Sequence, residues 1–518
     1  MILSLAISSP IWSLIGLLTL FYASRWKRNR SKLPLPPGPK GLPLVGNLFD
    51  MHSERQWEAY LKWSKEFNSD IIRLNAAGTS IVVLSSMEAI RGLFDRRSSL
   101  YSDRPQLPML TELMGWDFAI SFLKYGNLKT TVMTILNDWP NLTGDHWRSH
   151  RKIFHEAFNV NAAKQFRSQE RAAAHNLLRR ILQDPHDVMT HFRHMAAALI
   201  LDVTYGIHVL SSDDPYIDIA EKAMYGFGVA SIPGRFLVNT IPVLKYVPTW
   251  FPGADFKRKA KEWRKATRDL WDLPFAETKR DMAMGTAPPS FTSLALLALN
   301  DSSSKEQRER EAVIKGTAAS MYGAGADTTV SALGTFVLAM LANPEAQKRA
   351  QAELDSVVGD GRLPDFTDEA SLHYTSAVVK EVLRWKNVTP IAIPHCLTVD
   401  DEYRGYRIPA GSLVIGNAWA ILHDEDTYPD PHAFKPERFL LDGKLNPAVR
   451  DPETVAFGFG RRVCPGKHMA YASLWITIAS ILATLEIKKA QDKDGSEIEP
   501  SYEYFPGLIS YVSFNSAA

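Results

Sequence analysis

The segment Phe457-Gly458-Phe459-Gly460-Arg461-Arg462-Val463-Cys464-Pro465-Gly466 constrains the fold most, because it sets one cysteine in a glycine-rich loop directly before a helical pattern, Lys467 to Leu485. Gly460 and Gly466 allow a tight turn and close backbone approach to a bound group. Free N–H groups and the positive dipole end at the mouth of that helix are expected to lower the pKa of Cys464 and hold it as a thiolate ligand. A lone cysteine is more often an inert small hydrophobe, and Cys396 is read that way. A dinucleotide loop would need glycine at 463, where valine stands. Zinc-type Cys or His pairing and a Gly-x-Ser-x-Gly elbow are both missing from the sequence.

With 45% apolar and 22% charged residues and a formal charge of +2, the chain is ordinary globular material able to bury a large core. Neither nucleic acid nor an acidic substrate is implied. Two cysteines among 518 residues give no disulfide framework, which fits a reducing compartment.

Residues 1–24 carry no charge and form an apolar run with Trp12 and Tyr22 towards its ends. At about 1.5 Å per residue such a run spans a bilayer core. Arg25, Lys27, Arg28, Arg30 and Lys32 follow, and the positive-inside rule puts that flank in the cytosol. A cleaved signal peptide would carry its charges on the other side. The expectation is a single-pass anchor over 1–24, a basic and proline-rich linker over 25–46 and one catalytic domain over 47–518. The sequons at Asn141, Asn300 and Asn387 would then stay unmodified.

Asp70 to Ser85 alternates around Gly78 and predicts a hairpin. Beyond about residue 145 the pattern is mostly helical, with strand signals returning at Tyr403–Val414 and Ile509–Phe514. The longest predicted helix, Glu306 to Ala342, stops at Asn343-Pro344. Gly323 and Gly325 in its middle cost about 1 kcal/mol each relative to alanine. They point either to close helix packing or to a flat ligand on that face, with a polar group interrupting the backbone ladder. A further helix is predicted over Asp368–Trp385.

On these residues the chain resembles the cytochrome P-450 family: Phe457, Gly460, Arg462, Cys464 and Gly466 match Phe-x-x-Gly-x-Arg-x-Cys-x-Gly. Glu381 and Arg384 match Glu-x-x-Arg, three apart and so on one helix face, and Pro436-Glu437-Arg438-Phe439 follows in order. Ala324-Gly325-Ala326-Asp327-Thr328 matches the oxygen-activating motif, and Trp147 with Arg151 matches Trp-x-x-x-Arg. Phrases such as Asn417-Ala418-Trp419-Ala420 are most similar to fungal, microsomal-type members, including the O-methylsterigmatocystin oxidoreductase-like and mushroom tryptamine-hydroxylase-like groups.

The resemblance implies a mainly α fold with small β-sheets, one domain after an N-terminal transmembrane helix, and heme b on Cys464. Trp147, Arg151, His395 and Arg462 would contact the propionates, Phe457 would cover the sulfur, and Gly466 would lie close to the heme. Glu381, Arg384 and Arg438 would form a buried charge network. An isolated Glu/Arg pair is more often a solvated surface pair, and the spacing from Cys464 is what raises this one. Asp327 and Thr328 would relay protons to dioxygen. The implied activity is hydroxylation of a hydrophobic or aromatic small molecule, with substrate contacts from the loop before Trp147, Val229–Phe236, Tyr322 and Ala326, Val388–Ile393 and Phe505–Leu508. With no flavin or nicotinamide motif present, electrons would come from an NADPH–cytochrome reductase docking near Arg461 and Lys467, at the endoplasmic reticulum membrane. A reductase-independent isomerase or dehydratase would have little need of Asp327-Thr328, and a non-catalytic heme protein would not turn over.

One departure stands out. Family members run from Tyr-Gly directly into Asp/Glu-x-Trp-Arg, whereas here eighteen residues, Asn127–Gly144, separate Tyr125-Gly126 from Asp145-His146-Trp147. Their removal restores the family text and keeps the reading frame, which suggests a retained intron in the coding sequence. The rival reading is a tolerated surface loop.

Overall fold

The computed structural model describes residues 33–52, 55–125, 144–232, 234–299, 304–505 and 507–512. Both the anchor expected over 1–24 and the stretch 127–143 of the suspected insertion lie outside them.

A small sheet and a helical body make up the molecule. Helix α1 (Gln56–Glu66) precedes strands β1 (Ile71–Ala76) and β2 (Thr79–Leu84), which pair antiparallel with Ala76 opposite Thr79. The two-residue turn Ala77-Gly78 has positive φ at both positions, 45° and 91°. Such a turn twists with the strands, and Gly78 makes it easy.

The helical body contains α2 (Gly144–Phe158), α3 (Arg167–Gln183), α4 (Val188–Tyr205), α5 (Pro215–Ser231), α6 (Asp255–Met284), α7 (Ser304–Ala342), α8 (Pro344–Val357) and α9 (His373–Trp385). Its local signals are conventional. Asp187 caps α4 by accepting from Thr190 N, and Gly206 closes that helix at φ 73°. Asp214 caps α5 ahead of Pro215. Helix α7 stops where Pro344 begins α8.

Strands β3 (His395–Cys396) and β6 (Leu413–Gly416) join the first hairpin in a four-stranded sheet of order β1-β2-β6-β3, with β4 (Asp401–Tyr403) and β5 (Tyr406–Ile408) a separate pair. After the short pair β7 (Leu440–Leu441) and β8 (Lys444–Leu445) comes α10 (Lys467–Thr484), apolar on nearly every side and holding the fully buried Trp475. The chain returns through β9 (Tyr504–Phe505) and β10 (Tyr511–Val512), an antiparallel pair packed on α7.

Two expectations need correction, and Gly325 follows one of the two readings given for it. Helix α9 starts at His373, not Asp368, because the Asp368 carboxylate is taken by Arg362 at 2.6 and 2.7 Å and by the Asp365 N–H at 2.9 Å, which locks the preceding chain as turns. Gly325 serves helix packing: a Cβ there would lie 2.7 Å from Ile200 on α4. Nor is the α7 ladder interrupted, since the helix is continuous and Thr328 Oγ1 donates to Ala324 O at 2.9 Å within it.

Candidate active site

The cysteine loop is fixed from several sides. Gly460 has φ +56°, and a Cβ on it would meet the Phe94 carbonyl at 2.1 Å, so only glycine fits. Cys464 N donates to Phe457 O at 2.8 Å, closing the turn, and Arg151 reaches across from α2 to donate to Val463 O at 2.6 Å. The Phe457 ring packs into the core beside α9 and α10. Gly466 is different: its φ is −90°, and a Cβ would find nothing nearer than the Phe154 ring at 3.9 Å, so open space lies beside it.

Cys464 is enclosed by protein yet keeps an accessible face. Burial pushes its thiol up, while the Gly466 N–H and the Arg151 and Lys467 charges pull the other way. The expected lowering by the helix terminus is thus outweighed by desolvation in the protein alone. A coordinated metal would supply the missing positive charge and take the thiol as thiolate.

Basic side chains cluster beyond the loop. Arg462 is buried and donates to the carbonyls of Ser102, Ile120 and Leu123 at 2.7, 3.2 and 2.6 Å, with its guanidinium 4.5 Å over the Trp147 ring. Burial pushes it down to about 9. His395 bonds through Nδ1 to Tyr101 O at 2.7 Å and stacks on Phe94; burial, with Arg104 and Arg462 nearby, holds it neutral, well below its ordinary range.

Sequence reasoning missed Arg104. It is 3% exposed, donates to Ser121, Ile393 and Pro394 carbonyls, and is coupled to Arg462. The one signal for it was a charged residue before Pro105 in a stretch without helical period. Asp103 is the acid acting on this group, and it already accepts from Lys124 at 3.3 Å and Tyr125 N at 2.9 Å. Among the described residues, buried cations outnumber their acids here, so the cluster suits a bound dianion.

His150 was missed as well. Thr317 donates its hydroxyl to Val313 O, so at 2.8 Å it must accept from His150 Nδ1–H. Nε2 of His150 then accepts from His146 at 3.1 Å, and burial drives His150 down to about 3. This neutral relay pins α2, which carries Trp147 and Arg151, against α7.

Glu381 and Arg384 form a fully buried bidentate pair at 2.7 and 2.8 Å. Glu381 also accepts from Lys435 N at 2.8 Å and Arg438 Nε at 3.1 Å. Arg384 donates further to Leu422, Pro431 and Ala433 carbonyls. Every charge is met, the condition under which a buried ion network holds.

On α7, Ala324 is exposed although Tyr322, Ala326 and Val330 around it are buried, and the Thr328 hydroxyl is accessible on the same turn. Asp327, adjacent in sequence, turns instead towards Tyr511 and Arg193, and burial pushes its carboxyl up. Phe118, Phe122, Phe227, Phe236, Ala326 and Leu508 share one apolar cluster, with Ile393 packed against it. Tyr322 lies there too, but its hydroxyl is spent on Tyr216 O. Outside the cysteine loop, a recess of about 450 Å³ is lined by Asp95, Glu453, Arg461 and Lys467 among others, so that face is mixed in charge.

The chain combines a helical body and small sheets with an accessible thiol at a helix mouth and a group of buried cations. The family model for cytochrome P450 matches residues 36–505, and the chain belongs to the cytochrome P450 family. It is 48% identical to cytochrome P450 monooxygenase 98 of Postia placenta, over 93% of this chain and 89% of that protein. To tryptamine 4-monooxygenase of Psilocybe cyanescens it is 42% identical, over 95% and 93%. Cytochrome P450 monooxygenase 208 of Postia placenta is also 42% identical, over 96% and 92%. The chain is accordingly a P450 monooxygenase, a class that uses dioxygen and a redox partner.

Proposed function

We propose that this chain carries heme b on Cys464 and hydroxylates a hydrophobic or aromatic small molecule, with electrons from NADPH through a membrane-bound reductase. The observation that carries the reading is the accessible Cys464 thiol set beside Arg104, Arg151, Arg462 and His395, a donor set suited to an iron and two carboxylates. When bound, the heme would supply dioxygen activation, with thiolate ligation favouring O–O cleavage.

Arg104 and Arg462, with Trp147 and Arg151 alongside, would hold the propionates. A propionate would also draw a proton onto His395, whose Nδ1–H is already committed to Tyr101 O. Open space beside Gly466 and the accessible face of Ala324 would leave room for the macrocycle. Glu381, Arg384 and Arg438 would keep the proximal side rigid. Thr328, on the accessible side of α7, would pass protons at its Oγ1, resupplied by Asp327 through water.

The aromatic and aliphatic cluster around Phe118, Phe227, Ala326 and Leu508 supports an apolar substrate. The tryptamine-named relative favours an aromatic one. The reductase would dock over the recess at Arg461 and Lys467, and residues 1–24 would anchor the chain in the endoplasmic reticulum membrane with the body in the cytosol. Cys464→Ser tests the reading, since a serine hydroxyl is a far weaker donor to iron. Reduced protein with carbon monoxide should lose its long-wavelength Soret band, and retention of that band would overturn the ligand assignment.

A further inference from the structure

Asn387 lies two residues beyond α9 and is 2% exposed, yet neither Oδ1 nor Nδ2 of its amide has a hydrogen-bond partner among the described residues. Trp57 on α1 is 5% exposed, and its indole N–H is likewise unmet. Both side chains line one recess of about 20 Å³, together with Lys386, Trp419 and Tyr504. Buried polar groups left without a partner lose their full hydration, so they are met by a bound water or ion where space allows. Roughly 10–15 Å³ is enough for one water-sized occupant.

The donors select the occupant. An indole N–H and an ammonium only donate, and the amide offers two donors against one acceptor. The Lys386 ammonium lies 5.7, 5.4 and 5.4 Å from the ring centroids of Trp385, Trp419 and Tyr504, and it makes no ion pair among the described residues. Arg55 and Glu58 also line the recess, half-exposed and paired with each other at 3.7 Å, which leaves Lys386 as the uncompensated charge. Glu503, the other acid nearby, is held by Arg55 at 2.6 Å. Burial pulls the Lys386 pKa down, the response of a cation short of counter-charge. A water accepts two bonds and has two to give, whereas the buried unmet groups here offer one acceptor, Asn387 Oδ1. An anion takes the donors and supplies the missing charge.

We propose that this recess binds one water-sized anion, a halide such as chloride, through the Trp57 indole N–H, the Asn387 amide and the Lys386 ammonium. The site stands where three segments meet. Asn417 Nδ2 donates to Trp57 O at 3.0 Å, Trp419 N donates to Pro390 O at 2.9 Å, and Ser510 N donates to Val388 O at 2.9 Å. The anion therefore ties α1 to the chain leaving α9 and to the terminal hairpin, and its removal loosens that junction.

The test starts from detergent-solubilised holoenzyme dialysed into gluconate, an anion too large for the recess, and titrated with chloride at constant ionic strength. The melting temperature should rise saturably, by about two degrees once chloride exceeds its dissociation constant a hundredfold. Crystals soaked in bromide should show an anomalous peak in the recess. Trp57→Phe keeps the ring and removes one donor, and Asn387→Leu removes the amide. Both should keep the carbon monoxide signature of the loaded heme and weaken chloride binding about tenfold or more. Water in the recess in place of bromide overturns the site, and so does a chloride response in Trp57→Phe and Asn387→Leu equal to that of the parent. Should Asn387→Leu fail to load heme, the response of Trp57→Phe decides alone.

Discussion

Glu170 on α3 shows how a single buried group sets a pH dependence. It is 1% exposed, accepts from Ser473 on α10 at 3.2 Å, and leaves Oε2 without a partner among the described residues. Burial pushes its carboxyl up to about 8, from 4.5. Below about pH 4.5 the group is neutral in both folded and unfolded chains, and its contribution to stability is fully present. As pH rises from there to about 8 the unfolded chain ionises first, and that contribution is lost. Glu170→Gln removes the titration. Its melting temperature relative to the parent should be near zero at pH 5 and a few degrees higher at pH 8, as read by calorimetry at both values.

Thr328 makes the residue-scale case for chemistry. Among the described residues its Oγ1 bonds only to Ala324 O within its own helix, so Thr328→Ala leaves no buried group stranded and heme loading should survive. Product per NADPH should fall on the order of tenfold or more, with peroxide released in its place. Unchanged stoichiometry of NADPH, peroxide and product would remove Thr328 from the relay.

At the scale of elements, α9 has to be held at its first turn, because it carries Glu381 and Arg384. Glu353 on α8 does this from outside the helix, accepting from Tyr374 N at 2.7 Å, Thr375 N at 2.8 Å and Thr375 Oγ1 at 2.9 Å. A carboxylate on these N–H groups meets both the unsatisfied donors and the dipole. Glu353→Ala should cost about 1–2 kcal/mol, seen as a lower melting temperature with the heme spectrum intact at 25 °C. The cap was hidden from sequence because its donor and acceptor are about twenty residues apart on different helices. By contrast, the β1–β2 hairpin and the end of α7 were readable, since Gly78 and Pro344 act within their own few residues.

Across the whole molecule, membrane residence has two expected sources. Residues 1–32 would supply the first, by the charge and hydropathy of their sequence. The second would be the surface between α5 and α6, where Leu237, Val243, Tyr246, Trp250 and Phe251 are exposed. Aromatic and aliphatic side chains of this kind sit well at a bilayer interface. A chain lacking residues 1–32 should load heme and show, in place of stable residence in the membrane, a weaker salt-resistant binding to vesicles. Trp250→Ala with Phe251→Ala should abolish that residue of binding. If the truncated chain binds vesicles equally with and without those two changes, the interfacial role of the patch falls.

The sequence by itself determined what depends on near neighbours. The cysteine loop and the helix after it, the i, i+3 spacing of Glu381 and Arg384, the length of α7 and the first hairpin all follow from turn chemistry and periodicity. Tertiary structure alone decided what depends on burial and on distant partners. It brought Arg104 beside Arg462, turned Asp327 towards Tyr511 while Thr328 stayed accessible, and gave Gly325 to the packing of α4. It also reversed the expected direction at Cys464, because desolvation is a property of the surrounding fold, and no local pattern in a chain encodes how much water a neighbour will exclude.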